Sequence, residues 1–110
     1  MAFDENLAAR IRNQLGKKKG LTEKKMFGGV AFLLNGNMSC GVHGAEMIVR
    51  LASDDTDAAL KQNHTRIFDL SGGRPMKGWI LVEPQGLKTD KALAKWIETG
   101  INYAASLPPK

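Results

Sequence analysis

The sequence predicts a two-layer α+β domain, an antiparallel β-meander packed by N-terminal, middle and C-terminal helices. Three observations predict it. Between residues 22 and 51 the apolar side chains recur with a period of two around an Asn35-Gly36 pair. Over residues 3–16 and 89–105 they recur instead at close to 3.6. The 110 residues have room for one core, so residues 1–110 read as a single domain without repeat, linker or low-complexity tract.

Taken in order, the first helix places Phe3, Leu7, Ala8, Ile11 and Leu15 on one side. Asp4 is its N-cap, and Glu5 adds an acid in the first turn, where the helix dipole favours one. Gly16 and Gly20 bracket a Lys-rich exit, and residues 24–27 read as a strand ahead of Gly28-Gly29. Val30, Phe32 and Leu34 share one face of the next strand; Met38, Cys40 and Val42 share one face of the strand after it. Asn35-Gly36 between them suits a type I′ turn, which requires positive φ at both central residues. A second reversal at residues 43–45 leads to a strand over 47–51.

Residues 53–62 read as a helix opened by Asp54, Asp55 and Asp57. Residues 67–70 read as a brief strand, 71–75 as loop, and 79–83 as a strand stopped at Pro84. In the closing helix, N-capped by Thr89, the residues Leu93, Trp96, Ile97, Ile101, Ala104 and Ala105 form one stripe that ends before Pro108-Pro109. Gly100 in its interior costs about 1 kcal/mol relative to alanine.

With 43% apolar and 25% charged residues, the composition is that of a folded globular chain. The longest apolar run, residues 30–34, falls far short of the roughly 18 residues of a membrane span. Acids stand where a secretory signal carries positive charge, and Cys40, the only cysteine, has no partner for an internal disulfide. These features lead us to expect a cytoplasmic protein with no membrane contact. The net charge of +5 is local: Arg10, Arg12, Lys17, Lys18, Lys19, Lys24 and Lys25 fall in segment 10–25 with Glu23 as its only acid, and the remaining residues are slightly acidic. Such a segment is a candidate nucleic-acid contact, since neutralising phosphates releases counterions. It also has a plain reading as a solvated helix end, where cations favour the C-terminal dipole.

Candidate chemistry is sparse. Cys40 and His43 are the pair to test as nucleophile and base, with His64 able to approach through the fold. Three positions apart on a strand, however, Cys40 and His43 face opposite ways. One cysteine and two histidines supply no zinc pattern. Asp54, Asp55 and Asp57 lack the glycine and glutamate that complete a calcium loop. Phe27-Gly28-Gly29 leads into a strand rather than a helix N-terminus, and segment 72–77 lacks the Walker spacing, so neither reads as a phosphate cradle. No metal or cofactor is expected.

The run Lys25-Met26-Phe27-Gly28-Gly29-Val30, followed by a strand and an Asn-Gly hairpin, resembles the N-terminal domain of the TfoX/Sxy family. Its hallmark is an Arg-Met-Phe-Gly-Gly segment leading into a β-meander; here Lys25 stands in the arginine's place. Further matches follow in order: the Ile48-Val49-Arg50-Leu51 strand, the Met76-x-Gly78-Trp79 strand ending at Pro84, and a closing helix containing Leu93 and Trp96. The resemblance implies an antiparallel sheet packed by helices. It also implies kinship with bacterial regulators of natural competence, which act on transcription with partner proteins and carry a further C-terminal domain. A chain ending at Lys110 is expected to be a stand-alone version of the first domain.

Among the matched positions, Phe27 and Trp79 suit a sheet–helix core, and Gly28 and Gly29 permit backbone geometry denied to other residues. Arg50, flanked by Val49 and Leu51, belongs on the face opposite those two, reaching a partner carboxylate or phosphate or pointing into water. The expectation for function is a non-enzymatic regulatory or adaptor domain acting by protein–protein interaction, homodimerisation included. Two alternatives remain: nucleic-acid contact through segment 10–25, and ligand binding or enzymatic activity near Cys40, His43 and His64.

Overall fold

A computed structural model describes residues 3–16, 19–26, 29–68 and 78–109, with Met26 described for its backbone alone. The elements run α1 (Glu5–Leu15), β1 (Leu21–Met26), β2 (Gly29–Leu34), β3 (Asn37–His43), β4 (Glu46–Arg50), a 3₁₀ turn (Ser53–Asp55), α2 (Thr56–Leu60), β5 (Thr65–Ile67), β6 (Trp79–Val82), a second 3₁₀ turn (Pro84–Leu87) and α3 (Asp90–Ala105). The fold is α+β, as the sequence predicts. Six antiparallel strands form one sheet in the order β1-β2-β3-β4-β6-β5, a meander through β4 with β6 inserted before β5.

Local chemistry accounts for the turns and caps. Asn35 and Gly36 have φ of 53° and 84°, both positive as a type I′ hairpin requires. Asp4 Oδ1 accepts hydrogen bonds from the backbone N–H of Asn6 at 2.9 Å and Leu7 at 3.2 Å, capping α1. The Asp4 N–H donates to the Gly44 carbonyl at 2.7 Å, which ties the start of α1 to the β3–β4 turn. Thr89 caps α3 by accepting from the Ala92 N–H at 3.0 Å.

Two departures from the sequence reading lie in the middle of the chain. The helix expected over 53–62 begins as a 3₁₀ turn and leaves only five residues to α2. The strand expected at 67–70 is β5, two residues earlier, with Phe68 continuing the pairing by donating its N–H to the Trp79 carbonyl at 3.0 Å. Asp69 and Leu70, the 71–75 loop, Met76, and the motif residues Phe27 and Gly28 lie outside the described residues.

A third departure has a clear cause. Phe32 pairs with Cys40 but Leu33 pairs with Met38, so Ser39 is an extra residue on β3 with no counterpart on β2. Its hydroxyl donates to the Phe32 carbonyl at 2.8 Å, satisfying a buried polar group at the irregularity. The extra residue inverts the alternation. Cys40 and Val42 join the core beneath the helices, whereas Met38 turns to the opposite face with Ala31, Ile48, Phe68 and Leu81. The period-two expectation that Met38 shares a face with Cys40 is thereby corrected.

The principal core lies between the sheet and the helices. Leu7 and Ile11 of α1, with Leu93, Trp96 and Ile97 of α3, pack on Phe32, Val42, Val49, Ile80 and Val82. Of the predicted α3 stripe, Ala105 is exposed and Ile101 only half-buried, while Gly100 is buried. A Cβ at Gly100 would stand 2.2 Å from the Ser39 carbonyl oxygen, so the helix can settle over the bulged strand only where a side chain is missing. Trp79, expected in this core, instead packs with the second cluster. The register explains it: Ile80 pairs with Val49 on the helix side, which sends Trp79, beside Arg50, to the other face.

Candidate functional site

The three residues proposed for reactive chemistry do not meet. Cys40 is fully buried on the helix side of β3, where loss of solvation pushes its thiol up to about 12. Among the described residues its hydrogen-bond neighbour is the Ser39 hydroxyl at 3.8 Å. His43 is exposed on the opposite face, its ring edge-on to Phe68 at 6.0 Å. His64 sits in the turn before β5 with φ of 66°, its Nδ1 4.0 Å from Glu83 Oε1. A thiol that stays protonated, with no base at hand, is a packing group. Among the described residues no cluster of three His, Cys, Asp or Glu side chains is arranged to hold a metal.

The basic segment is largely taken up or divided. Arg12 makes a two-pronged contact with Glu23 on β1, Nε to Oε2 at 2.7 Å and Nη2 to Oε1 at 2.8 Å. Those hydrogen bonds from Arg12 hold the Glu23 carboxyl below its ordinary range. Arg10 Nη2 reaches Asp90 Oδ1 at 3.3 Å, joining α1 to the first turn of α3. Lys19, Lys24 and Lys25 are exposed. On β1, Lys25 pairs with Val30 of the helix-side core and Lys24 with Ala31 of the second cluster, so the two ammonium groups leave opposite faces of the sheet. Lys17 and Lys18 lie outside the described residues.

Two features that the sequence did not show emerge from the strand order. The first is an open edge. Among the described residues β1 pairs with β2 alone, leaving the outward-facing N–H and C=O groups of Leu21–Met26 without a strand partner, while the opposite edge, β5, is only three residues long. Gly29, at the start of β2, lets that strand lie close against β3: a Cβ there would meet the Val42 carbonyl oxygen at 1.8 Å.

The second is the setting of Arg50. It pairs with Trp79 across β4 and β6, and it neither points freely into water nor meets a carboxylate among the described residues. Its guanidinium carbon is 5.0 Å from the centroid of the Trp79 ring and 5.3 Å from that of Tyr103. Tyr103 belongs to α3, and sequence reasoning passed over it because it stands one place off the apolar stripe. Its being the only tyrosine in the chain was the one available signal. Of the other motif residues, Pro84 opens the second 3₁₀ turn and Trp96 is buried under α3.

Among the described residues no helix is long and apolar enough to cross a membrane. Comparison with curated proteins and with solved structures gives no match. The family model for the TfoX N-terminal domain matches residues 13–104, which takes in the end of α1, the whole sheet and nearly all of α3. On that match the chain belongs to the TfoX N-terminal domain family.

Proposed function

We propose that this TfoX N-terminal domain is a non-enzymatic regulatory or adaptor module that binds a partner protein by accepting an extended segment along β1. The observation that carries the reading is the uncovered β1 edge. An edge strand presents a row of backbone donors and acceptors that an incoming strand satisfies directly. Lys19, Lys24 and Lys25 make the edge basic, so it favours an acidic segment and resists chance pairing with apolar strands. The protonated, buried Cys40 and the separation of His43 and His64 support a non-catalytic role. Nucleic-acid contact draws less support, because Arg10 and Arg12 are ion-paired and Lys24 and Lys25 diverge.

A photo-crosslinking residue placed at Thr22 in expressing cells tests this. The expected result is a discrete crosslinked partner that is lost when Lys19, Lys24 and Lys25 are changed to Glu, with β1 amides slowed in hydrogen exchange in the purified complex. A partner that binds the charge-reversed protein equally well, or that leaves β1 exchange unchanged, refutes the edge.

A further inference from the structure

Four arginines are described, and three have carboxylate partners: Arg10 with Asp90, Arg12 with Glu23, and Arg66 with Glu46. Arg50 has none among the described residues. It is half-buried between β4, β6 and α3, held against the rings of Trp79 and Tyr103. Aromatic rings attract the charge of a guanidinium but accept no conventional hydrogen bond, so the fork of N–H donors stays uncommitted. An arginine already packed in this way loses little further rotamer freedom on binding, which is the usual obstacle for a long side chain.

We propose that Arg50, with Trp79 and Tyr103, forms a receptor for a carboxylate presented by an acidic peptide segment. The site is independent of the β1 edge, since β2 and β3 stand between β1 and β4. A planar carboxylate matches the guanidinium fork with two parallel hydrogen bonds. The two rings that hold Arg50 also carry an indole N–H and a phenol O–H, further donors of the kind a carboxylate accepts from. Tyr103 also lines a shallow hollow of about 430 Å³ with Leu51, Ala52, Thr99 and Asn102, space for the stem of a Glu or Asp side chain. Asp55 on the same wall disfavours a dianion, so the site selects a singly charged carboxylate over phosphate.

The test is an NMR titration of the whole domain following the Arg50 Nε–H and Trp79 indole N–H signals. The probes are a peptide of alternating Glu and Ser, its Gln counterpart, and inorganic phosphate, all at matched ionic strength. The Glu peptide is expected to give saturable shifts of both signals, at least tenfold tighter than the Gln peptide or phosphate. R50K, which keeps the charge but loses the fork, is expected to weaken binding about tenfold while its backbone amide spectrum stays native. Equal binding by R50K, equal shifts with the Gln peptide, tighter binding of phosphate, or no saturable shift overturns the proposal. If R50K fails to fold, the comparison of Glu and Gln peptides on the unaltered protein still decides it.

Discussion

Replacing Gly100 with alanine sets two physical effects against each other. In a solvent-exposed helix the change stabilises by about 1 kcal/mol, because glycine loses more backbone freedom on ordering. Here the new Cβ would stand 2.2 Å from the Ser39 carbonyl oxygen, 2.9 Å from its carbon and 3.6 Å from Cys40 Cβ. The obstacle is backbone, held by the bulge and by the hydroxyl bond to Phe32, so it cannot swing aside as a side chain would. Relief requires α3 to lift from β3, loosening Leu93, Trp96 and Ile97. Overpacking at the upper end of its usual range costs about 3 kcal/mol. After the helix-propensity gain, the net loss is about 2 kcal/mol, equivalent to a Tm lower by roughly 8–16 °C in a domain of this size. Urea denaturation followed by circular dichroism and Trp fluorescence measures it. The control is Asn102→Ala at an exposed position of the same helix, expected to gain about 0.5 kcal/mol. A G100A protein as stable as the parent, with an unchanged denaturant slope, would show that α3 does not rest on Ser39.

Asp4→Ala removes the acceptor for two N–H groups of α1 and should lower stability by about 1 kcal/mol in the same assay; a midpoint unmoved within error contradicts the cap. With its thiol pushed up to about 12, native Cys40 should resist alkylation at pH 8, and its labelling in urea should track unfolding. Rapid stoichiometric labelling of the native protein contradicts the burial. Because Arg12 holds the Glu23 carboxyl below its ordinary range, the pair's contribution is complete above that range and is lost as pH falls through the lowered value. Screening at this exposed site limits it to about 0.2–1 kcal/mol. In Arg12→Gln, NMR should find Glu23 titrating closer to the ordinary carboxylate range, and an unchanged titration argues that the contact is not kept in solution.

Most of the fold was legible because its signals are local. The type I′ turn is written in Asn35-Gly36, the caps in Asp4 and Thr89, and the helices in their apolar spacing. The candidate sites were less legible. Segment 10–25 looks like a basic patch until Glu23 is brought beside Arg12, and Asp90, 80 positions along the chain, beside Arg10. β1 can be read roughly as a strand, but its position at the edge follows from β6 entering beside β4, a choice no window of sequence contains.

By itself, then, the sequence determined most of the helical and extended segments, where the chain reverses, and which family the order of motifs resembles. Those follow from backbone preferences and side-chain periods that act over a few residues. Only the tertiary structure decided that Met38 turns away from Cys40, that Gly100 is a seat rather than a weakness, and that Arg50 lies against Trp79 and Tyr103. Each of these depends on register and on contact between elements far apart in the chain. One extra residue in β3 reverses a face, and a missing side chain in α3 gains its meaning only from the carbonyl beneath it.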